Sequence, residues 1–548
     1  MPPSSLRVVY AFAREMYPKT TDVFIQYGTA GFRTKANLLE HVVYRMGLLA
    51  VIRSRVKNGR TIGIMITASH NLEPDNGVKL VDPDGEMLDG SWEEIATRMA
   101  NVSDTELEAT TADVIRQVGA DMALKASVYV GMDTRYTSPR LASAAVHGAM
   151  ALKGTPKEFG IVTTPMLHFF VKCRNDETYG TPSEEGYYQK IVGAFKRLRA
   201  RMPVAGEYNN TLYVDGANGV GGKKLNIIKK TLDGELDLHM FNTGGNGGKL
   251  NLNCGADHVK STQTAPVGVE HVPWQRVASL DGDGDRIVYY YIDDKNKLNL
   301  LDGDRIATLL ASYVNQLLKE IGASDLSVAL VQTAYANGAS TKYITEQLKM
   351  PVTCVSTGVK HLHHEALKYD VGVYFEANGH GTVVYSGKTK EAVRKIFEEG
   401  DQEQRKAASI LLDIIDMTNE TVGDALSDLF LVETALCARG INTKQWMQLY
   451  DDLPCQLMKL SVKDRNVVTT ADADQQSTSP EGLQSRIDEL VANIPSGRSF
   501  VRASGTEDVV RVYAEADTQE NVQKLAAQVA QAVYDLAGGV GTRPTLPE

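Results

Sequence analysis

The chain has 548 residues, 43% of them hydrophobic and 23% charged, an ordinary globular balance for a chain expected to form three to five domains. Its 58 basic against 68 acidic residues leave a formal net charge of −10, which argues against a nucleic-acid or anionic-membrane surface but leaves an anionic small substrate open, since local basic clusters decide that. Five scattered cysteines without a CxxC pair, no apolar run near the ~18 residues of a membrane span and an N-terminus broken by Arg7, Arg14 and Glu15 predict a cytoplasmic chain without a disulfide framework or structural zinc.

In chain order, YGTAGFRTK (Tyr27–Lys35) brings two glycines close to Arg33, a candidate phosphate contact. TIGIMIT (Thr61–Thr67) predicts a strand, and Asn71, Pro74, Asn76 and Gly77 predict the loop after it. Ser69 therefore falls just past the C-terminal end of a strand, where open α/β sheets bind ligands. Its hydroxyl is either a turn former bonding its own backbone or a nucleophile, and His70 and Lys79 are the nearest groups to activate it. Glu177–Tyr188 is polar enough to join two domains, and VDGANGVGG (Val214–Gly222) reads as a tight strand-to-helix turn.

The strongest local signal is SLDGDGDRIVYYY, where Asp281, Asp283 and Asp285 alternate with two glycines. Three carboxylates in five residues repel one another unless a cation sits among them, and hard oxygen donors select Mg²⁺ or Ca²⁺. An EF-hand also begins D-x-D-x-D, but its sixth position requires Gly and its twelfth Glu, where this chain has Arg286 and Ile292. LDGDRIATLLASYVNQLLKEIG predicts a helix with Asp304 as N-cap and Gly322 as stop. His361, His363 and His364 in KHLHHEA point different ways on a helix and read as structural. YFEANGHGTVVY ends another strand with Glu376, Asn378 and His380, a donor and acceptor set suited to sugar hydroxyls or to a polar turn.

The tail changes character to α+β. In RASGTEDVVRVYAEA, Ser504, Gly505 and Thr506 form a hydroxyl-rich loop between Arg502 and Arg511, able to cradle an anion or simply to cap a turn. Val510, Val512 and Ala514 alternate with Arg511, Tyr513 and Glu515, which predicts a half-buried strand. The β-then-α rhythm before it predicts α/β domains with mixed, mostly parallel sheets. The expected divisions are 1–180, 181–299, 300–446 and a smaller α+β domain at 447–548.

In their order, GTAGFR, TASHN, DGDGDR, FEANGHGT and RASGT resemble the α-D-phosphohexomutase superfamily and, more narrowly, the phosphoacetylglucosamine mutases. The resemblance covers residues 28 to 511. Two features depart from wider superfamily habits: Ala377 and Asn378 follow Glu376 where a serine is usual, and Ala503 stands where proline is common.

The resemblance implies four domains around a central cleft, each supplying one loop. Ser69 would carry a phosphoryl group and, with Asp281, Asp283 and Asp285, hold Mg²⁺. Arg33, His70 and Lys79 would line the reacting end, with Lys79 or His70 as acid/base. Glu376, Ala377, Asn378 and His380 would hold the sugar, and Arg502, Ala503, Ser504, Gly505, Thr506 and Arg511 the phosphate that is not reacting. The implied reaction interconverts N-acetylglucosamine 6-phosphate and 1-phosphate through a sugar 1,6-bisphosphate, feeding UDP-N-acetylglucosamine synthesis. The alternatives are a phosphoglucomutase or phosphomannomutase of relaxed specificity and a catalytically silent sugar-phosphate-binding protein. Small amino-sugar phosphates are the expected partners, without nucleic acid or membrane; the sequence leaves the oligomeric state open.

Overall fold

A computed structural model describes residues 11–232, 234–245, 247–504 and 508–546. Its described residues form two compact units, one from Met1–Asp302, Asn378–Val383 and Arg405–Thr443, the other from Gly303–Ala377, Val384–Gln404 and Lys444–Glu548. Among the described residues, no helix is long and apolar enough to cross a membrane.

The first unit holds two five-stranded mixed sheets. One contains β1 (Phe32–Lys35), β2 (Ile62–Ile66), β3 (Asp75–Val81), β4 (Ser127–Met132) and β5 (Thr155–Ile161), in the order β1-β3-β2-β4-β5. Strands β2, β4 and β5 run parallel, whereas β3 is antiparallel to both of its neighbours. Strand β2, IGIMI, is buried at every position, as a strand between helices must be, and helices Glu40–Val56 and Thr164–Asn175 pack on it. The serine loop leaves its C-terminal end. The second sheet contains β6 (Thr211–Asp215), β7 (Asp237–Phe241), β8 (Val277–Leu280), β9 (Ile287–Ile292) and β10 (Leu298–Leu301), in the order β10-β9-β8-β6-β7. The aspartate loop connects β8 to its antiparallel neighbour β9.

The glycine-rich turn after β6 does more than reverse the chain. Val220, opening helix Val220–Ile228, donates its N–H to Gly282 O at 2.9 Å, and a Cβ on Gly219 would meet that oxygen at 2.4 Å. Helix Ala425–Arg439 braces the aspartate loop from another direction. Asp424 caps it by accepting from Leu426 and Ser427 N–H, and Ala425 N–H donates to Gly284 O at 3.1 Å. The same helix is tied down by a buried bidentate pair, Arg276 to Glu433 at 2.8 and 2.9 Å, with Tyr208 adding its hydroxyl at 2.8 Å. Removing one partner strands a buried charge, so Glu433→Ala should lower the stability of this unit by about 3–5 kcal/mol. Urea unfolding followed by far-UV circular dichroism measures it.

The second unit contains β11 (Val328–Thr333), β12 (Val352–Val355), β13 (Val371–Phe375) and the last two residues of β14 (Gly381–Tyr385), strands hydrogen-bonded in the order β12-β11-β13-β14. It also contains an antiparallel sheet of β15 (Cys455–Ser461), β18 (Arg498–Ala503) and β19 (Val509–Glu515), with the small ribbon β16 (Thr469–Ala471) and β17 (Gln476–Ser479). Helices Leu483–Ala492 and Gln519–Leu536 cover the antiparallel sheet over an apolar core that includes Val510, Val512 and Ala514.

Three local expectations change or hold here. Helix Gly303–Glu320 begins one residue before Asp304, so Asp304 lies inside the first turn, where its carboxylate favours the positive helix end and accepts from Asn337 N–H at 2.8 Å. Gly322, at φ +75°, stops the helix as expected. Strand β19 is buried on both faces towards its end. Tyr513 and Glu515 lie inside because Arg498 pairs with Glu515 at 2.9 Å and Phe500 stacks on Tyr513. His363 is structural as read, buried with its Nδ1 3.0 Å from the Tyr374 hydroxyl.

Candidate active site

Asp281, Asp283 and Asp285 are all but fully buried, and each offers an oxygen within 4.8 Å of the others. The loop achieves this by folding on its first member. Asp281 Oδ1 accepts the N–H groups of Gly284, Asp285 and Arg286 at 3.0, 3.0 and 3.2 Å. Gly284, at φ +74°, supplies the backbone turn that other residues resist. Asp283 Oδ2 accepts from Thr164 Oγ1 at 2.6 Å and Thr67 Oγ1 at 3.1 Å, while Asp283 Oδ1 is buried with no hydrogen-bond partner among the described residues. Burial and the charges of Asp285 and Asp283 push the Asp281 carboxyl well above the usual range. Burial would raise Asp285 too, but Lys79 and His380 beside it hold it well below. Three converging carboxylates with one unused buried oxygen form a donor set that suits a hard divalent cation.

The Ser69 hydroxyl donates to Asp281 Oδ2 at 2.7 Å and lies 3.4 Å from Asp285 Oδ1. Ser69 is 1% exposed and sits in the left-handed region at φ +50°, with its N–H bonded to Thr67 Oγ1 at 2.9 Å. The turn-forming reading of this serine holds, and the same turn aims its hydroxyl at the carboxylates. Gly282 permits the approach: a Cβ there would lie 2.6 Å from Ser69 O.

Lys79 reaches the cluster from β3, with Nζ 3.3 Å from Asp285 and 3.6 Å from Asp283. Arg33 on β1 donates to Asn71 Oδ1 at 3.2 Å, and its buried Nε has no partner among the described residues. His70 behaves differently from its neighbour. Arg286, burial and Arg33 together hold its imidazole far below the usual range, so it is neutral. It also lines a pocket with Asn71, Leu72, Asn251 and Cys254.

His380 joins the carboxylates, its Nδ1 3.4 Å from Asp285 Oδ1. The segment that carries it is pinned by Gly379, whose O accepts from Ile287 N–H at 3.1 Å and whose φ of +87° leaves no room for a Cβ. His380, expected among the sugar contacts, is 5% exposed and lies beside Asp285. Asn378 Oδ1 accepts the His380 N–H at 3.0 Å, so part of its capacity shapes this turn. Glu376 and Ala377 belong to the second unit, just past the end of β13.

In the second unit, Arg502 on β18 stands directly opposite Arg511 on β19, and Arg511 directly opposite Lys459 on β15. Like charges facing across strands repel, and an anion held among them removes that cost. Arg502 Nε lies 3.5 Å from Asp474, whereas Arg511 Nε is buried without a partner among the described residues. Ala503 ends β18, and Ser504 follows, buried, its N–H bonded to Val509 O at 2.9 Å. Gly505 and Thr506 lie outside the described residues.

Four family models match in succession: the phosphoglucomutase/phosphomannomutase α/β/α domain I over residues 40–106 and 100–178, phosphoacetylglucosamine mutase AMG1 domain II over 177–288, AMG1 domain III over 302–441, and the phosphoglucomutase/phosphomannomutase C-terminal domain over 457–532. Human phosphoacetylglucosamine mutase is 48% identical over 530 residues, covering 96% of this chain and 97% of that protein. The chain belongs to the phosphoacetylglucosamine mutase family. An Aspergillus fumigatus N-acetylphosphoglucosamine mutase solved with GlcNAc-6P and magnesium superposes with a TM-score of 0.93 at 45% identity, over 98% of this chain and all of that one. A serine-to-alanine variant of the Aspergillus enzyme, solved with glucose 1,6-bisphosphate, gives a TM-score of 0.92 at 44% identity, over 98% of this chain and 100% of that one.

Within this member of the phosphoacetylglucosamine mutase family, the structure gathers Ser69, Lys79, the three aspartates and His380 into one cluster. Sequence reading missed Thr67 and Thr164, which orient Asp283, and Asn251 and Arg135, which bond the serine loop. Thr67 lay within the motif that was read. The other three are ordinary polar residues, without a local pattern to mark them.

Proposed function

We propose that this chain is a cytoplasmic phosphosugar mutase that interconverts N-acetylglucosamine 6-phosphate and N-acetylglucosamine 1-phosphate through a phosphoserine at Ser69. The observation that carries this reading is the Ser69 hydroxyl, 2.7 Å from Asp281 inside a buried carboxylate cluster in which Asp283 keeps an unused oxygen. Asp281, Asp283, Asp285 and an oxygen on Ser69 would hold Mg²⁺. A cation bound there offsets the negative charge of the phosphoryl group. The relatives solved with GlcNAc-6P and magnesium and with glucose 1,6-bisphosphate support the same ligands for this chain.

In the proposed cycle, phospho-Ser69 gives its phosphoryl group to the 1-hydroxyl of the 6-phosphate. The Oγ–P bond breaks, a P–O1 bond forms and the hydroxyl proton passes to a base. The resulting 1,6-bisphosphate turns end for end and returns its 6-phosphoryl group to Ser69. Proton transfer is assigned to Lys79, whose Nζ lies among the carboxylates that face Ser69, or to His70, which feels the charges of Arg33, Arg286, Asp285 and Lys79 at the same reacting end. Arg33 is assigned to the reacting end. Glu376, Ala377, Asn378 and His380 are assigned to the sugar, and Arg502, Ala503, Ser504, Gly505, Thr506 and Arg511 to the phosphate not being transferred. The division into domains at 1–180, 181–299, 300–446 and 447–548 is supported by the four successive family matches.

Intact-mass measurement after incubation with glucose 1,6-bisphosphate and Mg²⁺ tests the reading: one phosphoryl group should appear, on Ser69. Failure of the wild-type chain to take up phosphoryl would instead leave a silent binding protein. Arg511→Ala should lower kcat/KM for both monophosphates, mainly through a raised KM, and leave the Mg²⁺ dependence nearly unchanged, since the lost contact holds phosphate and no metal ligand is touched. Steady-state kinetics in both directions with a Mg²⁺ titration measure it. A strong shift in Mg²⁺ requirement with KM spared would place Arg511 at the reacting end.

A further inference from the structure

Two carbonyl oxygens of the serine loop, those of Ser69 and Asn71, are gripped twice. The side-chain amide of Asn251 donates to Ser69 O at 2.8 Å and to Asn71 O at 3.0 Å. The Arg135 guanidinium donates to the same pair, at 3.3 Å to Ser69 O and 2.5 Å to Asn71 O. Both donors are themselves fixed. Arg135 is 1% exposed and ion-paired with Asp133. Asn251 is in the left-handed region at φ +57°, with its N–H on Ala217 O at 3.0 Å, and a Cβ on Gly282 would come within 2.8 Å of its amide nitrogen.

We propose that Asn251 is a positioning residue for phosphoryl transfer, acting with Arg135 through the backbone of the serine loop; this rests on Ser69 being the phosphoryl carrier. A carbonyl oxygen has two lone pairs, and each of these two oxygens takes two donors. The Ser69–His70 and Asn71–Leu72 peptides therefore cannot rotate without breaking charge-assisted and amide hydrogen bonds together. This holds Ser69 at φ +50°, a conformation serine rarely adopts, and so fixes the direction of Oγ towards Asp281. Asn251 lies 182 residues from Ser69 and beside Gly282, so the same amide that orients the nucleophile also packs on the aspartate loop. A nucleophile displaced by about 1 Å loses on the order of a hundredfold in rate, so a clamp on its backbone shows in turnover rather than in substrate affinity.

The test compares the full-length wild type with Asn251→Ala and Asn251→Gly, the latter tolerating the left-handed backbone at φ +57° while removing both donors. Three quantities are measured: phosphoryl uptake at Ser69 from glucose 1,6-bisphosphate by rapid-quench intact mass, steady-state kcat and KM, and the melting temperature. Both variants should take up phosphoryl at least about tenfold more slowly, with kcat reduced in step and KM within about twofold of wild type. Asn251→Gly should melt close to wild type, which separates misplacement from unfolding, and it carries the test alone should Asn251→Ala fail to fold. Wild-type uptake rates in both variants, or a loss confined to KM, would overturn the clamp while leaving Ser69 as carrier. A wild-type chain that takes up no phosphoryl at all would overturn the underlying reading instead.

Discussion

Ser69→Ala is expected to reduce mutase turnover to background while the fold survives. The substitution removes one hydroxyl, and with it the only atom that can accept and return the phosphoryl group in the proposed cycle. The Ser69 backbone N–H to Thr67, and the carbonyl held by Arg135 and Asn251, are main-chain interactions that alanine keeps. The strained left-handed backbone is held from outside the side chain, so stability should change by no more than a typical surface or small-residue substitution, about 1 kcal/mol. Coupled assays in both directions, with circular dichroism and thermal unfolding, check it. Wild-type turnover in this variant would eliminate Ser69 as the carrier. A collapse of the melting transition would show that the hydroxyl to Asp281 is structural.

Asp283→Asn should slow phosphoryl transfer by at least about tenfold, or roughly 1.4 kcal/mol of barrier, and raise the Mg²⁺ concentration needed for half-maximal activity. Asp283 is chosen because its two oxygens do separate things. Oδ2 takes the Thr164 and Thr67 hydroxyls, and Oδ1 is buried without a partner among the described residues. The amide can keep one hydroxyl contact through its oxygen, but it removes a negative charge from a cluster proposed to bind a dication. Isothermal titration with Mg²⁺ and activity titrations measure the two effects. An unchanged Mg²⁺ dependence would sink the metal loop. Parallel turnover of glucose 1-phosphate and N-acetylglucosamine 1-phosphate on the wild type addresses the remaining alternative, since comparable kcat/KM for both would mark a mutase of relaxed specificity.

The sequence by itself determined those features whose physics is local. Strand β2 is legible because a short apolar, β-branched run before Asn, Pro and Gly signals predicts a strand and its exit loop. The aspartate loop is legible because alternating carboxylates and glycines within five residues conflict with any ordinary turn. Gly322 ends its helix as read, for a residue at positive φ leaves a mark in composition. Arg502 and Arg511 flank the Ser504–Thr506 loop in the sequence, and the strand register sets them directly opposite each other.

What only the tertiary structure decided depends on contacts between distant segments. Asp304 was read as a cap because aspartate prefers that place, but its partner, Asn337, draws it one residue inside the helix. Glu515 was read as the exposed side of a half-buried strand; Arg498, 17 residues away, pays for its burial with a bidentate ion pair. His380 sits in a turn whose sequence fits a sugar contact, and its place beside Asp285, in a segment where Gly379 O accepts from Ile287 N–H, shows only in the tertiary structure. Thr164, Arg135 and Asn251 are ordinary residues in ordinary local settings. Their roles exist because the chain brings a helix start, a loop after β4 and a loop after β7 to one serine and one aspartate, and hydrogen bonds of that kind leave no periodicity in the sequence.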